Sequence, residues 1–542
     1  MLDNLLNKKR YLVVDDYGDM RSALRSMLSL FGVTEIDNAK NGIEAIHKME
    51  FNKYDVVLCD YNLGPGQDGQ QVLEEARHRK LISIGTAFIM ITAENTSGMV
   101  MGAIEYEPDS YLYKPFTKDL LRSRLEKVLT KKADLKPIEQ ALEKKDYPKA
   151  ILLLDQRIDN QPKNLGELLR LKAETCLRSG ADDEAAAVYD QVLAVRELTW
   201  ARMGLGKVQY NRKEYETAKQ TFQNLIEANA QYTAAYDWLA RCMKALGDLP
   251  GSQEVLANAI KLSPKAILRQ QELGEIAMEN KDFNTAEIAF NQAVKLGRHS
   301  IHKHPKIYVN LAESKVSNDE NKSKIHAFKV IEQMRRDFRG DKEAEVYAAL
   351  TSTKLHRELG NETKALESMI QAEQLFDEYG AENNPQLTLT MAKLQANLGN
   401  EERAKDLFQT TIKNNHDDDE FLRNVEKALN ESGMTESASE LIATTRREII
   451  ALNNKGVGLV SNGNIEEAIG LFEQAADGMS GNKTINLNAA KVMIMHMERH
   501  GLEVQYLAKA RQYLERVQQL DPDYKSLPKL LLRLNNLTGE AS

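Results

Sequence analysis

The sequence encodes two architectures in tandem. The first is an α/β domain with a doubly wound, five-stranded parallel sheet. The second is an all-α solenoid of paired helices. Three observations lead there. Short β-rich runs alternate with amphipathic helical stretches over residues 1–130. That strand signal stops near residue 133. A helical pattern then recurs with a period close to 34 residues. The domains are set at 1–131 and 132–542, the second holding about nine to ten helix pairs.

In the first domain Tyr11–Val14 runs into Asp15 and Asp16, and Tyr54–Cys59 runs into Asp60. Ala87–Ile91 ends at Thr92, and Ser110–Tyr113 ends at Lys114. Thr34–Ala39 is a weaker strand. Amphipathic stretches at Met20–Leu30, Gly42–Glu50, Gln70–Arg79 and Leu120–Leu129 lie among them, and the alternation calls for five helices. Asp15, Asp16, Asp60, Thr92 and Lys114 thus fall at the carboxyl ends of four strands, the edge where open α/β sheets bind ligands.

In the second domain each unit's second helix carries a small residue with a bulkier one four positions on: Ala150/Leu154, Ala185/Tyr189, Ala218/Phe222, Ser252/Leu256 and Ala286/Phe290. The small residues are separated by 35, 33, 34 and 34 positions. A spacing of four puts both on one helix face, where the small residue admits a neighbouring helix and the large one fills its groove. Looser copies follow at Ala365/Met369, Ala404/Phe408, Ala468/Phe472 and Ala510/Leu514, whereas 300–345 and 412–450 fit poorly. Glycines before the small residue, as in Leu246-Gly247-Asp248 and Leu398-Gly399-Asn400, suit the left-handed residue that ends a helix. Pro162, Pro264 and Pro522 follow second helices as stops. An ordinary bundle would not hold five such pairs in register.

Composition narrows the function. A net charge of -8 and a pI of about 5.9 give no general attraction to nucleic acid or anionic lipid. No run of about 18 apolar residues is present, so no membrane insertion is expected. Met1–Arg10 lacks the apolar core of a signal peptide. The three cysteines, Cys59, Cys176 and Cys242, suit a reducing compartment. Together these point to the cytoplasm.

Val14-Asp15-Asp16, Asp60, Thr92-Ala93 and Lys114-Pro115-Phe116 together resemble the signature of the two-component response-regulator receiver family, over about a quarter of the chain. The resemblance implies a flavodoxin-like fold and a phosphoacceptor at Asp60. It implies Mg2+ held by Asp15 (through water), Asp16, Asp60 and the backbone carbonyl of Asn62, with Thr92 and Lys114 stabilising the phosphoryl group. Tyr111 stands at the place of the family's switching aromatic, its ring turning inward as Thr92 moves. Asn62 and Glu94 resemble the pairing in chemotaxis-type receivers, which tend to dephosphorylate quickly. A degenerate receiver would have lost an acidic residue, the threonine or the lysine, and none is lost. One departure is an extra residue before Pro65 in the loop from Asp60 to Gly69.

The second domain is similar to the tetratricopeptide repeat (TPR), whose first-helix glycine is matched by Gly206, Gly274 and Gly456. The resemblance implies a concave groove for a protein or peptide. Arg170, Arg178, Lys207, Tyr210, Arg241 and Lys244 would line it, interspersed with Glu174 and Asp237, and a locally basic groove suits an acidic peptide. The same residues equally suit a solvated helix face. Asn453, Asn486 and Asn488 extend the candidates. His299, His302 and His304 read as a loop rather than a metal site, His416–Glu420 as a helix start, and Trp200 and Trp238 as core.

The expected protein is a signalling module rather than an enzyme. A sensor histidine kinase or phosphotransfer protein would phosphorylate Asp60, and the arm would bind an unidentified protein in a phosphorylation-dependent way. The alternative is a phosphate-independent scaffold whose receiver serves for docking or dimerisation, since receivers often pair as homodimers. Lys131–Pro137 leaves no room for a floppy tether, so the receiver is expected to act on the first repeats.

Overall fold

A computed structural model describes residues 3–83, 85–93, 108–160, 162, 164–317, 321–379, 384–434, 438–522, 524 and 526–538. The chain divides into two compact units, Met1–Asp319 and Glu320–Ser542.

The first unit opens with a parallel sheet of β1 (Tyr11–Val14), β2 (Ile36–Ala39), β3 (Val56–Asp60), β4 (Ala87–Thr92) and β5 (Ser110–Tyr113), in the order β2-β1-β3-β4-β5. Helices α1 (Asp3–Asn7), α2 (Gly18–Leu30), α3 (Gly42–Phe51), α4 (Gly69–His78) and α5 (Lys118–Glu143) surround it. Side chains alternate across a strand, so the sheet feeds two cores. Tyr11, Val13, Leu58 and Ile89 pack on Leu24, Leu28, Leu121 and Leu125 of α2 and α5. Leu12, Val57, Phe88 and Met90 pack on Ala45, Ile46, Val72 and Leu73 of α3 and α4. Each buried Leu or Ile there contributes about 1.5–3 kcal/mol. Residues 94–107, between β4 and β5 and including Glu94, lie outside the described residues.

No tether follows the sheet. α5 runs unbroken for 26 residues, through Pro137. Its first half buries Leu121, Leu125, Val128 and Leu129 against the sheet. Its second half buries Leu135, Ile138 and Ala141 against Ala150, Leu154 and Leu168 of the repeats. One helix therefore belongs to two cores.

Helix pairs then continue as α6 (Tyr147–Asp159), α7 (Leu165–Ser179), α8 (Asp182–Val195), α9 (Thr199–Asn211), α10 (Tyr215–Ala228), α11 (Thr233–Ala245), α12 (Leu249–Leu262), α13 (Ile267–Glu279), α14 (Phe283–Gly297) and α15 (Pro305–Ser317). The second unit holds α16 (Asn321–Asp337), α17 (Lys342–Glu358), α18 (Glu362–Tyr379), α19 (Pro385–Asn397), α20 (Glu401–Asn414), α21 (Asp419–Glu431), α22 (Ala438–Ser461), α23 (Ile465–Gly478), α24 (Lys483–His500), α25 (Val504–Leu520) and α26 (Leu527–Thr538). All nine small/large pairs lie on these helices and are buried. Within the stretch that fits the repeat poorly, α16 carries a further buried pair, Ala327 and Ile331.

The first-helix glycines explain the large member of the pair. A methyl group on Gly206 would lie 2.7 Å from the Phe222 ring, one on Gly274 2.6 Å from Phe290, and one on Gly456 would collide with Phe472. Each ring lies sixteen residues after its glycine and occupies the space that the missing side chain leaves. At the turns between helices, Gly180 and Gly247 take positive φ, but Lys145, Lys213 and Lys281 fill the same role at φ 55°, 64° and 61°. The arm also contains a buried ion pair. Arg269 of α13 grips Asp237 of α11 through Nε at 2.6 Å and Nη2 at 2.9 Å, with both side chains nearly inaccessible.

Two substitutions probe this packing by chemical denaturation. Gly274→Ala should cost about 1–3 kcal/mol by overpacking, and Phe290→Leu in the same chain should recover part of it; equal costs with and without Phe290→Leu would argue against the ring contact. Asp237→Ala, which strands a buried guanidinium, should cost about 3–5 kcal/mol, and a cost near zero would mean the pair is solvated.

Candidate functional site

The parallel sheet brings the acidic residues together at one edge. Asp15 follows β1, and its backbone N–H donates to Ala39 O of β2 at 3.2 Å. Its carboxylate accepts the Tyr17 N–H at 2.8 Å, which turns the chain into α2. Asp60 ends β3 beside it. The carboxylate oxygens of Asp15, Asp16 and Asp60 all lie within 4.8 Å of one another, with Asp15 and Asp60 buried and Asp16 exposed.

Lys114 follows β5, where its N–H donates to Thr92 O at 2.8 Å, and a cis bond joins it to Pro115. Its ammonium stands 3.0 Å from Asp15 Oδ2 and 3.0 Å from Asp60 Oδ1. Burial lifts the Asp60 carboxyl above the ordinary carboxylate range; Lys114 opposes that shift, and the neighbouring charges of Asp15 and Asp16 add to it. Burial alone would weaken the Lys114 ammonium, but its bonds to Asp60 and Asp15 more than reverse this and hold it above its usual range. Thr92 is buried at the end of β4, next to β3. Tyr111 is half-buried on β5 and packs against the α3–α4 core.

The donor set consists of hard carboxylate oxygens with one face exposed at Asp16, which fits Mg2+ rather than a softer ion. Asn62 lies two residues past Asp60, exposed, with its side chain accepting the Gly64 N–H at 3.2 Å. Gly64 and Gly66 both adopt positive φ, and a methyl group on Gly64 would lie 3.4 Å from Asp16 Oδ2. The loop with the additional residue therefore leans over the acidic cluster.

The repeats present a second feature. Arg170 and Arg178 lie on α7, Lys207 and Tyr210 on α9, and Arg241 and Lys244 on α11. Trp238, half-buried, is the hub. The Lys207 ammonium lies 5.5 Å from its ring centre and the Arg241 guanidinium 4.9 Å, while Tyr210 meets it edge-on at 5.4 Å. Burial depresses the Lys207 ammonium; Glu174 opposes this, and Arg241, Arg170 and Arg178 reinforce it. Arg170 pairs with Glu174 at 2.8 Å and Lys244 with Glu279 at 2.8 Å. Arg241 also faces Glu272 at 3.6 Å, so Lys207 and Arg241 on Trp238 form a cationic point that is partly compensated.

Some expectations need correction. Asp237 is not a groove residue, because Arg269 holds it inside. Asn486 is fully buried and donates to the carbonyls of Met479, Ser480 and Asn482, and Asn488 bonds Asn453 at 2.7 Å, so these amides serve the fold. Trp238 is a cation platform as well as packing. Among the described residues, His299, His302 and His304 form no metal cluster. Asp418 caps α21 by accepting the Phe421 N–H, as a helix start should. Sequence reasoning missed Arg269, since nothing local marks a buried arginine whose partner is 32 residues away.

Comparison with known proteins agrees with this geometry. Residues 11–126 match the response regulator receiver domain, and residues 200–231 match the tetratricopeptide repeat. The chain is 32% identical over 121 residues to chemotaxis protein CheY1 of Helicobacter pylori, covering 22% of this chain and 96% of that protein. It is 29% identical over 128 residues to chemotaxis protein CheY-3 of Vibrio cholerae, covering 23% and 97%. Among solved structures, the C-terminal part of a TPR repeat-containing protein from Cytophaga hutchinsonii aligns over 44% of this chain and 95% of its own, at 14% identity and a TM-score of 0.37. With the acidic cluster, the lysine and the parallel sheet in place, the chain belongs to the response regulator receiver family, its receiver fused to an array of tetratricopeptide repeats.

Proposed function

We propose that this protein is a cytoplasmic two-component response regulator in which Asp60 accepts a phosphoryl group and the repeat arm engages a protein partner according to the state of Asp60. The observation that carries the reading is the Lys114 ammonium set equally between Asp15 and Asp60 at the end of a buried strand. An Asp60 oxygen attacks phosphorus and forms the new O–P bond. The P–N bond to the imidazole of a histidine kinase or phosphotransfer protein breaks, and the imidazole leaves with the electron pair. Asp15, Asp16, Asp60 and the Asn62 carbonyl would hold Mg2+, which when bound supplies positive charge against the phosphoryl oxygens. Lys114 supplies charge to the same oxygens from the other side. Thr92, at the end of the adjoining strand, donates its hydroxyl to the phosphoryl group, and Tyr111 follows its movement. The chemistry sets the lifetime of a signal and turns over no metabolite.

The arm's partner is read as an acidic segment of another protein. Burial makes the Lys207 cation costly; Glu174 supports its charge while Arg241, Arg170 and Arg178 oppose it, so a carboxylate-bearing ligand relieves the remaining repulsion.

Intact mass after incubation with acetyl phosphate and Mg2+ tests the phosphoacceptor. One phosphoryl mass should appear in the wild type, vanish in Asp60→Ala and stop when EDTA removes the metal; no gain in the wild type, together with no binding of beryllofluoride, would leave the phosphate-independent scaffold. Lys114→Ala should slow loading by about 100-fold, and an unchanged rate would remove the lysine from the chemistry. For the arm, Lys207→Glu with Arg241→Glu should weaken binding of a fluorescent polyglutamate decapeptide by at least about tenfold, whereas equal affinity would return those residues to a merely solvated face.

A further inference from the structure

Within the first unit the chain leaves the receiver through α5 and meets it again after α14. The second meeting is polar. Gln71 of α4 donates its side-chain amide to Leu296 O at 3.4 Å, and Gln67 donates to His299 O at 3.2 Å. Leu296 is in the last turn of α14, where carbonyls have no partner within their own helix. Lys265, just past α12, lies close enough for its charge to act on Asp68, the residue that caps α4. Gln67 and Ser300 are each only 8% exposed, so the contact is closed to solvent at its centre. Beside it lies an open cleft of about 520 Å3, lined by Ile43, Ile46, His47, Glu75 and Arg79 of the receiver and by residues 299–301 of the arm. Such a contact, hydrogen-bonded through Gln67 and Gln71 and flanked by an open cleft, resembles a separable interface more than a permanent core.

This contact is wired to the phosphoacceptor. Gly69 opens α4 with its N–H bonded to Tyr61 O at 2.8 Å, and a methyl group there would collide with Asp60 O. The start of α4 is therefore seated on the backbone of Asp60 itself. Between them runs the loop with Gly64 and Gly66, already against Asp16. Gln67 follows that loop directly, packed beside the start of α3, where a methyl group on Gly42 would lie 2.8 Å from its Cβ.

We propose that α3, α4 and the loop before α4 form an intramolecular docking surface for the arm's 296–304 turn, closed when Asp60 is bare and released when Asp60 is phosphorylated. The proposal rests on the phosphoacceptor reading of Asp60. The glycine loop stands against Asp16 and begins at Asn62, whose carbonyl would hold the cation, so filling the site redraws the loop. The redrawn loop carries Gln67 with it and withdraws an amide from a carbonyl of the arm.

Hydrogen–deuterium exchange of the full chain, read by mass spectrometry with Mg2+ and with or without beryllofluoride, tests this. The amides of Ser300 and Lys303, bonded to Gly297 O and Ser300 O in the docked turn, report on it. Exchange across 297–304 should rise about tenfold on loading. Gln71→Glu keeps an acceptor for the Asp68 N–H but removes the donor to Leu296 O, so it should raise the same exchange without beryllofluoride. Gln67→Ala should do likewise, and both variants should still load at Asp60 in the acetyl phosphate assay. Exchange at 297–304 that stays unchanged or slows in a protein whose mass confirms loading would overturn the release and leave the phosphoacceptor standing. Unchanged exchange in both glutamine variants would overturn the docking. No mass gain at Asp60 would overturn the phosphoacceptor and the release together.

Discussion

Three carboxylates within 4.8 Å of one another cannot share a partly buried edge without a compensating cation. The Lys114 ammonium meets that need in the resting chain, and the rest of the receiver is arranged to permit it. β1 and β3 are neighbours, so Asp15 and Asp60 arrive side by side. β5 lies two strands from β3, yet the reach of a lysine side chain brings its charge back to the same point. On the proposed function, entry of a divalent ion and a phosphoryl group would change the balance and make the edge a reporter of its own occupancy.

The arm is governed by a different constraint, that of close packing. A helix that lacks a side chain at one position receives a ring from the helix that follows, as Gly206 receives Phe222 and Gly274 receives Phe290. Elsewhere a polar contact joins successive helices, as where Ser252 of α12 donates its hydroxyl to Ala240 O of α11 at 2.7 Å. The units are interchangeable in outline and individual in detail. That is why Lys207, Trp238 and Arg241 can form a local cationic feature without disturbing the stack.

Much of this was readable in the sequence because each signal was local. Asp15, Asp16, Asp60, Thr92 and Lys114 each end a strand, and the strand pattern alone places them on one rim. The small and large repeat residues lie four apart on one helix. Features that depend on distant partners were not readable. Asp237 resembles a surface carboxylate until Arg269 is found beside it, and Asn486 resembles a groove amide until its three carbonyl partners appear. A proline such as Pro137 ordinarily interrupts a helix, but α5 continues through it because both halves are anchored in cores. Gln67 and Gln71 look like ordinary polar positions at the start of an amphipathic helix, and only the return of the chain at residue 296 gives them a counterpart.

The unbroken α5 has a geometric effect of its own. A helix turns by about 100° per residue, so the arm's azimuth about the receiver is fixed by the number of residues between Leu129 and Leu135, as the tooth count of a gear fixes its phase. Inserting one residue there would swing the arm through more than a quarter of a circle and lift the 296–304 turn away from α4, while leaving each core intact. Only insertions near whole turns, about three to four residues or about seven, would restore the alignment, and even these would lengthen the strut. The spacing of that short stretch is therefore as much a part of the receiver's connection to its arm as any side chain.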